Sequence, residues 1–251
     1  MDDIKTNILV VYTALFGDYD DLIDPKEDYN GCIFICFTDQ KHLKSNIWEI
    51  RVIEDIDLPL NMMNRRYKIL PHLFLSEYEQ SLYIDANIGI LENPRYLSSK
   101  YLKKNHFYMP KHFDRNCIYE EAKECIVLSK SDFFKTKKQI KMYQVDGFPK
   151  AFGMGENNIL LRTHNEQVIV SIMENWWQEL LHGVKRDQLS LAYILWKHNK
   201  RFNYLTEHAR DKKYFTYTKH HNEKKIRVLE DIKNRLVIKI KQVMIILFYD
   251  V

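Results

Sequence analysis

Glycine is scarce in this chain, 7 residues of 251, and proline is scarcer at 6. Long low-complexity linkers are therefore excluded, and one large domain with at most an appendage is expected. Cysteine is also rare: Cys32, Cys36, Cys117 and Cys125 form no CxxC pair. Cys32 and Cys36 share one face of an apolar run, which favours buried thiols over metal ligands and a reducing, cytosolic setting. No segment approaches the ~20 apolar residues of a membrane-spanning helix. The acidic N-terminus, MDDIKTNILVVY, has too short an apolar run for a signal peptide, so a cytoplasmic location is expected. The net charge is only +4, with lysines spread along the chain. That argues against a nucleic-acid partner and suits an anionic small molecule. GxSxG, Walker A, GxGxxG and HExxH motifs are all missing.

What is present is a globular composition, 45% hydrophobic and 29% charged. Short β-branched or aromatic runs at Ile8–Tyr12, Cys32–Phe37, Trp48–Ile53 and Ser81–Asp85 read as strands. Asn64–Leu75 has helical spacing, interrupted by Pro71. This alternation predicts an α/β domain with a mostly parallel sheet. Further on, Tyr119–Leu128, Ser131–Met142, Val168–Leu181 and Arg186–His198 read as helices, and Asn158–Arg162 as a short strand. The basic, apolar segment 223–251 reads as an amphipathic helix, either packed on the domain or lying on a membrane surface.

Ligands of such sheets sit at the carboxyl ends of the strands. Asp39 and Asp85 fall there, and the stretch from Thr13 to Asp18 is expected to line the same crevice. Asp85 and Asn87 lie two residues apart in LYIDANI. In an extended chain both would point off one edge and offer oxygen to a divalent cation, Mn²⁺ or Mg²⁺. An amide in place of a second acid weakens that grip. Arg65, Arg66 and Lys68 precede this strand and are candidates to neutralise a diphosphate; the adjacent arginines equally suit a solvent-facing pair. Asp187, before Gln188, is either an N-cap or a sugar-binding acid. Glu156, in a Gly-flanked loop, is an acceptor-binding carboxylate or a surface glutamate, and His208 is a candidate third metal ligand.

The ordered set VYTALFGDYD, CFTD, RRYKILPH, YIDANI, HFDRNCIYEEA, GFP, ILLRTHN and RDQLSLAYILWK resembles one family. It is the glycosyltransferase-like domain of plant mucilage and pectin-related proteins and of bacterial polysaccharide loci. The resemblance covers roughly residues 8 to 200 and implies a GT-A-like single domain with a Rossmann-like central sheet, here residues 1–222, followed by the helical tail. It implies a transferase taking a nucleotide-sugar donor, with a UDP-sugar favoured, to a glycan or glycolipid acceptor such as capsule or lipopolysaccharide. On that pattern Asp85 matches the first acid of a DxD metal motif, with Asn87 in place of the second. Asp39 matches a nucleoside-binding acid, Thr13 the nucleotide-binding edge, and Asp187 and Gln188 a pair near the sugar. Retention of configuration is favoured over inversion. Because one member of the plant family is linked to sphingolipid amide hydrolysis, a metal-dependent lipid amidohydrolase is an alternative, as is a non-catalytic nucleotide-sugar-binding module.

Overall fold

The computed structural model describes residues 8–218, and the segment 223–251 lies outside them. In chain order the elements are β1 (Leu9–Leu15), β2 (Cys32–Thr38), β3 (Glu49–Val52), α1 (Leu60–Ile69), α2 (Pro71–Phe74), β4 (Gln80–Ile84), β5 (Ile88–Ile90), α3 (Arg95–Tyr101), β6 (Phe107–Pro110), α4 (Ile118–Val127), α5 (Phe133–Val145), β7 (Ile159–Arg162), α6 (Gln167–His182), α7 (Asp187–Lys197), β8 (Tyr204–Leu205) and β9 (Phe215–Tyr217).

Seven strands form one sheet in the order β3-β2-β1-β4-β7-β6-β8. β3, β2, β1 and β4 are mutually parallel, and β7 runs antiparallel to both of its neighbours, β4 and β6. A separate two-stranded ribbon pairs β5 with β9. The mostly parallel α/β architecture read from the sequence is what the chain adopts.

β1 shows why the sheet is central. All seven of its residues are buried, and their alternation feeds two cores. Val10, Tyr12 and Ala14 pack with α1, α4, α5, α6 and α7, whereas Leu9, Val11 and Leu15 pack on the opposite face with α3, β5 and β9. Strand β2 carries Cys36 into the second core, where burial pushes its thiol pKa up to about 12. All four cysteines are free thiols. No helix among the described residues is long and apolar enough to cross a membrane.

Pro71 interrupts the helical stretch as its chemistry requires: α1 ends at Ile69, and Pro71 is the first residue of α2, where its missing N–H costs nothing. The carbonyl of Lys68, left over at the C-terminal end of α1, accepts hydrogen bonds from the Tyr12 hydroxyl at 3.0 Å and the Arg162 guanidinium at 2.9 Å. Arg162 is fully buried and also donates to the Tyr12 hydroxyl, so strands β1 and β7 together pin the helix end that carries Lys68.

Candidate functional site

The carboxyl ends of β1, β2 and β4 meet on one edge, with α1 above them. Thr38, the last residue of β2, donates through its hydroxyl to the carbonyl of Leu15 at 2.6 Å. The Asp39 carboxylate accepts the backbone N–H of Gly17 at 2.9 Å, and the Gln40 amide donates to the Gly17 carbonyl at 2.8 Å. Gly17 has φ of +75°, so glycine is the residue that fits this clasp. The clasp opens on a cavity of about 740 Å³ lined by Gly17, Asp18, Asp39, Gln40, Lys41 and their neighbours up to Lys44. Thr13 is not part of it. β1 runs on to Leu15, so Thr13 lies inside the strand, fully buried.

Asn64 and Lys68 of α1 are four residues apart and share one face. Asn64 clamps Phe16 through both backbone groups, at 3.0 and 3.2 Å. One turn further on, the Lys68 ammonium lies 2.8 Å from the Asp187 carboxylate and 3.6 Å from that of Asp85, both from distant parts of the chain. The Tyr83 hydroxyl donates to the same Asp85 oxygen at 2.8 Å. Lys68 and Asp187 are almost fully buried and Asp85 is partly open. Burial alone would raise the Asp187 carboxyl, but Lys68, Arg65 and Arg186 hold it well below the usual carboxylate range. Burial and the neighbouring Asp85 push the Tyr83 phenol well up, so it stays a proton donor.

Several expectations change here. Asp187 is the first helical residue of α7, and Arg186 occupies the cap position with no side-chain cap bond. The acid therefore serves the ion pair and not the helix end, apart from accepting the Gln188 N–H at 3.1 Å. Gln188 in turn accepts from Arg186 at 3.3 Å. Arg66 points away from the cluster and forms a forked pair with Asp57 at 2.9 and 3.0 Å, because it lies about 180° around the helix from the Asn64–Lys68 face. Arg65, between these directions, donates to the Asn61 carbonyl and still acts on Asp187.

The extended geometry expected for Asp85 and Asn87 is not formed. β4 stops at Ile84, and the chain turns, with the Ile88 N–H bonding to the Asp85 carbonyl at 3.0 Å. The turn swings the Asn87 amide onto the Thr218 carbonyl at 2.9 Å, while the Thr218 N–H returns to the Asn87 carbonyl at 2.9 Å. Asn87 thus continues the β5–β9 ribbon.

His208 lies in a second cavity of about 470 Å³, where Glu156, His112, Phe113 and Arg210 are also found and none of Asp85, Lys68 or Asp187 is a lining residue. Glu156 is buried and takes two hydrogen bonds from Arg210, at 2.9 and 3.1 Å, on one oxygen. Its loop belongs to the crevice, since the Asp85 N–H donates to the Asn158 carbonyl at 2.9 Å. His112 accepts the Arg115 N–H at 3.0 Å through Nδ1, and burial, ahead of the opposing pull of Glu121, lowers its pKa. Phe113 is 62% exposed at the rim, with the Arg210 guanidinium 4.0 Å from its ring centre. Sequence reading missed Arg186, Arg210 and Asn157. Asn157 is buried beside Glu156, with neither amide atom partnered. The NN dipeptide just before a strand is the signal for it.

A family model described as TOD1/MUCI70, glycosyltransferase-like domain, matches residues 1–222. No curated protein matches the chain. Among solved structures, the apo WbbM bifunctional glycosyltransferase is 7% identical with a TM-score of 0.47, over 94% of this chain and 44% of that one. Mouse xyloside xylosyltransferase 1 in its apo form is 9% identical with a TM-score of 0.45, over 80% of this chain and 85% of that one. The chain thus spans less than half the length of the first of these.

Proposed function

From a chain that belongs to the TOD1/MUCI70 glycosyltransferase-like domain family, we propose a transferase that moves a sugar from a nucleoside-diphosphate donor to a glycan or glycolipid acceptor. The observation that carries this reading is the Lys68–Asp85–Asp187 cluster at the strand ends, on the face of α1 whose Asn64 clamps Phe16 next to the Asp39–Gly17 clasp. Asp39 has an oxygen beyond the one engaged by Gly17 for a ribose or base. Asp187 and Gln188 would orient the donor sugar, and the Glu156 cavity would take the acceptor. Retention of configuration is favoured. Inversion needs a general base at the acceptor hydroxyl, and the carboxylate on that side, Glu156, is engaged by the Arg210 guanidinium.

Thermal melting with UDP, GDP and CMP is the direct test. A nucleoside diphosphate at saturating concentration should raise Tm by several degrees, from about 2.7 kcal/mol at a hundredfold excess over Kd. Asp39→Ala should lose most of that shift. If no nucleoside diphosphate moves the melting curve of the wild-type chain, the reading fails. Slow hydrolysis of the donor sugar then separates an enzyme from a non-catalytic binding module. On the acceptor side, Glu156→Gln should raise the acceptor KM by about tenfold through the weakened Arg210 contact. It should leave the donor Kd as it was, and a change confined to donor affinity would contradict the assignment of the second cavity.

A further inference from the structure

The Asp-x-Asn motif implies a divalent cation, yet its residues do not assemble around one. Asp85 faces an ammonium, Asn87 is turned onto Thr218, and His208 lines another cavity. Among the described residues no three His, Cys, Asp or Glu side chains come together as a ligand set. The charges present point the same way. Lys68, Arg65 and Arg186 act on Asp187, and Lys68 also faces Asp85. Glu121 also faces Arg186, but Arg115 holds it at 2.6 Å. Within the cluster itself three cations, Lys68, Arg65 and Arg186, meet two carboxylates, Asp187 and Asp85, which leaves one positive charge over; outside it Arg115 is shared between Glu121 and the more exposed Asp114. A low-dielectric site with that balance repels a divalent cation and attracts a diphosphate. The guanidinium Nε atoms of Arg65 and Arg186 are buried without partners, so donor capacity remains in both side chains.

Resting on the donor reading above, the geometry points to a metal-independent site in which the Lys68 ammonium, backed by Arg65 and Arg186, takes the charge of the leaving diphosphate. Lys68 is suited to it. Its carbonyl is pinned by Tyr12 and Arg162, so the side chain starts from a fixed point, and Asp187 and Asp85 hold its ammonium at the crevice. As the glycosidic C–O bond breaks, both electrons of that bond go to the diphosphate oxygen. The ammonium stabilises that charge as an ion pair and keeps its own protons, while the acceptor hydroxyl oxygen forms the new bond to the anomeric carbon and its proton leaves on the diphosphate.

The test is calorimetric titration of the full chain with UDP and with GDP, once in EDTA and once in Mn²⁺. The nucleotide that binds should do so with Kd values within about twofold of each other. Replacing Lys68→Met together with Asp187→Asn removes both members of the closest ion pair and leaves Arg186 with Glu121 as its remaining acid, so the chain should still fold. That double variant should bind the nucleotide about 10–100-fold more weakly, the loss of one charge-assisted hydrogen bond. Binding that appears only with Mn²⁺, or that is as tight in the double variant as in the wild type, overturns the inference. Failure of both nucleotides under every condition sinks the donor reading itself, which is a different result.

Discussion

Lys68→Ala should lower the unfolding free energy by about 3–5 kcal/mol at neutral pH, because it leaves the buried Asp187 without its closest cation. Urea unfolding measures this. The pH dependence identifies the cause. The folded Asp187 is depressed below its unfolded value of about 3.9, so its contribution is complete above that pH. It fades as the pH falls through the folded pKa. In Lys68→Ala the carboxyl loses its main compensation and its pKa rises, so acid neutralises the stranded charge. The gap between wild type and variant should therefore narrow below about pH 4. A gap of constant size would mean that packing of the lysine stem, not charge, is what was lost.

Trp176→Ala should cost about as much, ~3–5 kcal/mol, from the cavity left by the largest fully buried side chain among the described residues. For a chain of this size that is a fall in Tm of roughly 6–20 °C. The indole N–H donates to the Asp187 carbonyl at 3.2 Å and to the Ser190 hydroxyl at 3.1 Å, so α6 holds the start of α7 in place. Trp176→Phe keeps most of the apolar volume and loses only that tether. Its stability loss should be smaller, about 1–3 kcal/mol, while nucleotide affinity should still drop because Asp187 is no longer fixed. An unchanged nucleotide Kd in Trp176→Phe would show that the tether matters to folding alone.

Strands β1, β2 and β4 are legible in the sequence because each is a short β-branched and aromatic run, too brief for a helix and apolar enough for burial on both faces. Their carboxyl ends then put Asp39 and Asp85 on the correct edge. Strands β5, β8 and β9 have three, two and three residues, too few to show alternation, and they leave no such signature. The expectation for Asn87 fails through the same gap: without β9 there is no Thr218 to claim its amide. Arg66 is misplaced when neighbours in sequence are grouped, because helical phase separates it from Lys68. Asp187 resembles a cap because caps are local, whereas its true partner sits on α1, far upstream in the sequence. Ion pairs between distant segments leave no periodic trace.

The reversed strand β7 has a metrical consequence. The parallel strands bring residues to the crevice as the chain leaves them, but β7 brings Glu156 and Asn158 as the chain arrives. Its register, Ser81 opposite Arg162 through Ile84 opposite Ile159, therefore acts as a gauge between the Asp85 edge and the Glu156 loop. A slip of one residue would slide the arriving loop by about 3.3 Å along the crevice and turn the β7 side chains to the wrong face. Arg162, buried on Tyr12 and the Lys68 carbonyl, locks that gauge at the strand's far end.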